Sequence, residues 1–148
     1  MEYMKAFKSL LKNASDPTKV LAEVPYRKAV PILKAVPEGF SAPGEREAWF
    51  TMTNAGVDRE GDIIVSAGVD VEQFSEYGSV LWGHRADEPR FILGAPAEVV
   101  KEETRILIRA NFLGEDANPD AARVLNMIKA GAVRAMSVGI MIHEYSEA

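Results

Sequence analysis

From Thr104 to Leu113 the chain alternates with a period of two. Ile106, Ile108, Ala110 and Phe112 fall on one side, and Arg105, Leu107, Arg109 and Asn111 on the other. Successive side chains of a strand point to opposite faces, so this pattern predicts a strand with one core face and one mixed face. The segment after it predicts a helix just as firmly. Asn118 is a natural N-cap, Pro119 suits the first helical position, Ala121, Val124, Leu125, Ile128 and Ala132 fall on one helical face, and Gly131 is expected to end the helix. These two segments anchor a reading of the chain as mostly strands with about three helices.

Weaker signals fill in the remainder. Met4, Phe7, Leu10 and Leu11 recur at helical spacing among Lys5, Lys8 and Lys12, which predicts an amphipathic helix within residues 1–24. Residues 1–27 are therefore read as a helical extension and 28–148 as a single domain. Pro25, Pro31, Pro37 and Pro43 make any strand between Lys28 and Val36 short or peripheral. Glu45 to Thr53 suits a strand, Ile63, Ile64 and Val65 an extended segment, and Val71 to Tyr77 a short helix before a strand ending at His84. A final long strand is expected from Arg134 to Tyr145.

At 148 residues, 47% hydrophobic and 26% charged, the chain has the means to bury one core. A net charge of −5 gives no general attraction to phosphate backbones, which argues against nucleic acid as a partner. There is no cysteine, which excludes disulfides, thiolate metal sites and cysteine nucleophiles and suits a reducing cytoplasm. No apolar run approaches the roughly 20 residues that span a bilayer, and no secretory signal is evident, so no membrane role is expected. Asp58 and Asp62 could be read as a metal loop. Arg59 between them and the lack of nearby oxygen ligands favour a turn, and no metal or cofactor is expected.

Chemistry narrows to two side chains. Ser137 is a small hydroxyl in the apolar run Arg134-Ala135-Met136-Ser137-Val138-Gly139-Ile140, and His84 closes Val80-Leu81-Trp82-Gly83-His84. Serine is a poor nucleophile until a neighbouring base takes its proton, so the pair makes a candidate serine hydrolase. His143 lies on the same face of the expected strand as Ser137. It is about 20 Å along that strand at ~3.3 Å per residue, which leaves His84, brought across neighbouring strands, as the base. On residue type and spacing alone, Ser137 reads as a packing residue before it reads as a nucleophile. Gly-x-Ser-x-Gly would need glycine where the chain has Ala135, which argues against an α/β-hydrolase.

The order of segments from about Lys28 onward resembles the tailed-phage prohead maturation proteases of the HK97 type. The resemblance is carried by Val57-Asp58-Arg59-Glu60-Gly61-Asp62-Ile63-Ile64, then Val80 to His84, then Phe91-Ile92-Leu93-Gly94. Ile128-Lys129-Ala130-Gly131 and the run around Ser137 complete the series. It implies a herpesvirus-assemblin-like fold of the mainly β, α+β class: a curved antiparallel sheet or β-barrel flanked by about three helices. It also implies a serine endopeptidase with Ser137 as nucleophile and His84 as general base. The substrates would be scaffold segments of the phage major capsid protein or a scaffold protein, cut inside the assembling prohead in the host cytoplasm. The family resemblance leads to the expectation of a third, acidic member on a later strand, whereas only eleven residues follow Ser137 and Glu144 and Glu147 are too near along the strand. A domain truncated at its C-terminus is therefore expected, with weak or no activity and an open sheet edge that invites self-association. A different class of function stays open beside it: a non-catalytic assembly module that binds scaffold or coat protein, with Ser137 merely packing.

Overall fold

A computed structural model describes residues 25–31, 36, 38–57 and 62–141, with the backbone alone described in 25–31 and 136–141. The N-terminal helix expected within 1–24, most of the Asp58–Asp62 loop, His143, Glu144 and Glu147 lie outside the described residues. The elements are β1 (Pro25–Pro31), β2 (Glu47–Asn54), α1 (Glu72–Tyr77), β3 (Val80–Leu81), β4 (Ile92–Lys101), β5 (Arg105–Phe112), α2 (Pro119–Lys129) and β6 (Ala135–Met141). Three short 3-10 turns, at Ser66–Gly68, Trp82–His84 and Pro89–Phe91, join them.

β5, the strand with the cleanest alternation, takes a central place in the sheet. It pairs antiparallel with β2 on one side and β4 on the other, in a curled four-stranded half-barrel of order β2-β5-β4-β3. Ile106, Ile108, Ala110 and Phe112 line its core face together with Phe50 of β2 and Leu93 of β4. α2 covers that face with Ala121, Val124 and Leu125, and Phe74 of α1 packs at its margin. Full burial of a side chain such as Ile106 or Phe112 contributes about 1.5–3 kcal/mol, so this layer holds most of the stability of the sheet. The mixed face is covered too, because Leu107 is 0% and Trp49 3% exposed. Trp49 donates its indole N–H to the Ser41 carbonyl at 2.9 Å and meets the edge of Phe40 at 5.1 Å between ring centroids.

Register shifts between Thr51 and Thr53 and between Pro96 and Glu98 interrupt the ladders on both sides of β5. Bulges increase local twist, which suits the curl of the sheet. Pro96 sits at one of them, beyond the stretch of β4 that β3 covers, where a strand proline costs no ladder bond on a second side. Gly94 is paired on both sides, and a Cβ there would stand 2.0 Å from the Asn111 carbonyl oxygen, so only glycine permits this approach.

β1 pairs with β6 in a separate antiparallel ladder that lies against β2. β1 begins at Pro25, ahead of Lys28, and carries proline at both ends, as a short peripheral strand should. The expected strand ending at His84 is corrected: β3 is only two residues long, and Trp82–His84 form a turn. The cause is Gly83, whose φ of 61° leaves the extended region. The extended segment expected at Ile63–Val65 lies outside the ladders, with Val65 extended at φ −76° and ψ 105° and Ile63 and Val65 57% and 69% exposed.

α2 begins and ends as expected. Gly131, at φ 77°, donates its N–H to the Ile128 carbonyl at 3.0 Å, and Ala132 donates to Met127 at 2.9 Å, closing a Schellman motif. At the other end Asn118 Oδ1 accepts the Asp120 N–H at 3.1 Å. Its Nδ2 donates to two further carbonyls, Arg90 at 3.0 Å and Ile92 at 2.8 Å. Asn118 is 5% exposed, so these donors have little water to fall back on. Aspartate is an equally good N-cap, so Asn118→Asp keeps the cap, removes the two donated bonds and sets a carboxylate oxygen against the two carbonyls. We expect Asn118→Asp to lower unfolding free energy by about 1–3 kcal/mol in a urea titration; an unchanged midpoint would show that capping is the whole role of Asn118.

Candidate functional site

His84 belongs to a tight reversal, Trp82-Gly83-His84-Arg85, closed by the Arg85 N–H on the Trp82 carbonyl at 3.1 Å. Gly83 has φ 61° and His84 φ 57°, the pair of positive values that a type I′ turn requires at its two central positions. Glycine adopts this conformation freely. For histidine it costs about 1–2 kcal/mol, and His84 is the only non-glycine residue with positive φ among the described residues. The imidazole is half-buried, beside the exposed Trp82.

Just after the turn the chain is heavily braced. Arg85 grips Asp87 with both arms of its guanidinium, Nε to Oδ1 at 3.1 Å and Nη2 to Oδ2 at 2.8 Å. The hydrogen bond from Arg85 holds the Asp87 carboxyl below its ordinary range. The Arg85 guanidinium also lies 4.0 Å from the centre of the Phe91 ring, with that of Arg90 at 4.7 Å from the same ring. Arg90 in turn pairs with Glu88 at 2.6 Å.

Ser137 occupies a mid-strand position in β6, in register with Ala29 of β1. The expectation that neighbouring strands carry the two residues is corrected. β3 is laddered to β4, while β6 is laddered to β1 and lies against β2. The His84 turn thus follows β3 at one end of the order β3-β4-β5-β2, while Ser137 lies in the separate β1–β6 ladder, which stands against β2 at the other end. Any approach of the two side chains has to come from the curl of the sheet, not from strand pairing.

A charged cluster on the mixed face of β5 is a feature that the sequence pattern does not announce. Arg109 Nη1 donates to Glu47 Oε2 at 2.6 Å, and Nη2 reaches Glu98 Oε2 at 3.3 Å. Its guanidinium carbon lies 5.9 Å from the Trp49 ring. The Arg109-against-Glu98 register is the signal, and it is readable only once β4 and β5 are aligned. The Glu47 carboxyl is held below its ordinary value of 4.5, first by the Gly44 backbone N–H and then by Arg109. A carboxylate so held is a structural anion, not a proton donor. Because its folded-state pKa is depressed, its stabilisation is complete above the ordinary value and is lost as pH falls through and below it. We expect the wild-type chain to lose more stability than Glu47→Gln between about pH 6 and pH 3 in paired urea titrations; parallel losses would contradict this.

Among the described residues no group of three or more His, Asp or Glu is placed to hold a metal ion. No helix among them is long and apolar enough to cross a membrane. No protein-family model matches the chain, and searches of curated proteins and of solved structures find no match.

Proposed function

We propose that the chain is a prohead maturation protease in which Ser137 is the nucleophile and His84 its general base. The reading is supported by the ordered series of segments from Val57 to Ile140 and by a mainly β, curled antiparallel sheet with helices against it. The observation that carries it is the backbone at His84. A polar residue held at φ 57° next to a glycine at φ 61° stores strain, and such strain clusters at functional positions.

In this mechanism His84 takes the proton of Ser137 as its Oγ attacks a peptide carbonyl of a capsid scaffold segment. The protonated imidazole then delivers that proton to the leaving amine, and water hydrolyses the acyl-enzyme by the same route in reverse. An orienting carboxylate, where a triad has one, is worth about 10⁴ in rate.

A second reading is favoured by the strand order. His84 follows the edge strand β3 of the four-stranded sheet and Ser137 lies in the separate β1–β6 ladder, an arrangement that a non-catalytic module docking on scaffold or coat protein would allow. A serine-directed fluorophosphonate separates the two. The protease reading expects covalent labelling at Ser137 by peptide mass spectrometry, absent in Ser137→Ala and at least about 100-fold slower in His84→Ala. No labelling, or labelling indifferent to His84→Ala, would favour the module.

A further inference from the structure

Between α2 and the His84 turn the contacts form one continuous path. Asn118 donates to the carbonyls of Arg90 and Ile92, one on either side of Phe91, and so fixes the backbone from which the Phe91 ring projects. The ring carries the Arg85 guanidinium at 4.0 Å. The fork of Arg85 is locked on Asp87 at 3.1 and 2.8 Å, and its own N–H closes the turn on Trp82. His84 is the residue immediately before it. Every link has a fixed geometry: two hydrogen bonds from one amide, a cation over a ring, and a two-armed ion pair.

We propose that Asn118 is the positioning residue for the His84 imidazole, acting through Phe91 and Arg85. The proposal rests on the reading of His84 as general base. Arg85 and Asp87 are at least half exposed, which makes their pair a poor source of stability. The same pair is well suited to selecting one orientation of a strained turn. A displacement of about 1 Å at a reacting group can cost on the order of 100-fold in rate, so a brace of this kind has a measurable consequence.

The test uses Asn118→Asp and Arg85→Ala, neither of which removes an aromatic ring near the imidazole. Should Asn118→Asp fail to fold, Arg85→Ala cuts the same path at a surface side chain. Two readouts are taken on variants whose circular dichroism matches wild type. One is the Cε1–H resonance of His84, assigned with His84→Gln, with the other histidine, His143, as internal reference. The other is the rate of fluorophosphonate labelling at Ser137. The brace predicts a shifted or split His84 signal, an unmoved His143 signal and about tenfold slower labelling. A His84 signal unchanged in folded Asn118→Asp, or unchanged in Arg85→Ala, overturns it. If the wild-type chain is not labelled at all, the protease reading falls, and the His84 resonance alone still decides whether the path from Asn118 reaches the turn.

Discussion

One buried amide joins α2 to the segment that leads from the His84 turn into the sheet. Asn118 accepts the first free N–H of α2 and donates to the carbonyls of Arg90, in the turn before β4, and Ile92, at its start, so helix and sheet meet at a joint where both side-chain polar atoms of Asn118 are satisfied. Buried donors and acceptors cost more unpaired than they gain paired, which makes such a joint specific as well as stabilising. The position of α2 over Ile108, Ala110 and Phe112 follows from it, and so does the path of the chain from the His84 turn into β4.

The sheet itself is organised by β5 and by the bulges on both sides of it. Those irregularities coincide with the curl that turns four strands into a half-barrel. Curl matters for function because strand pairing does not bring β3 to β6. Closure of the two ends of the sheet is the physical condition on which the proposed chemistry rests. The ion cluster of Arg109, Glu47 and Glu98 ties β2, β5 and β4 together on the mixed face and reinforces the same arrangement.

How far the fold is legible in the sequence differs from element to element, for physical reasons. β5 and α2 are plain because alternation and capping are local signals, written within a dozen residues. Pro25 and Pro31 mark β1 as peripheral for the same reason. The strand expected to end at His84 stops short because the apolar run passes through Gly83, a residue whose main use is to leave the extended region. The extended segment expected at Ile63–Val65 stays outside the ladders, since apolar residues do not make a strand without a partner to pair with. The Arg109 cluster depends on the alignment of three strands, and no single segment announces it. Of the candidate site, the sequence supplies the residue types at 84 and 137, while their relation lies in the curvature of the sheet.

That relation is the central claim, and the absence of native cysteine allows it to be measured cleanly. In the His84→Cys, Ser137→Cys double variant, a short bifunctional thiol reagent should bridge the two positions within one chain, read by mass as a single cross-linked adduct. Two separate mono-adducts, with no bridge under native conditions, would place the two residues apart and contradict the account.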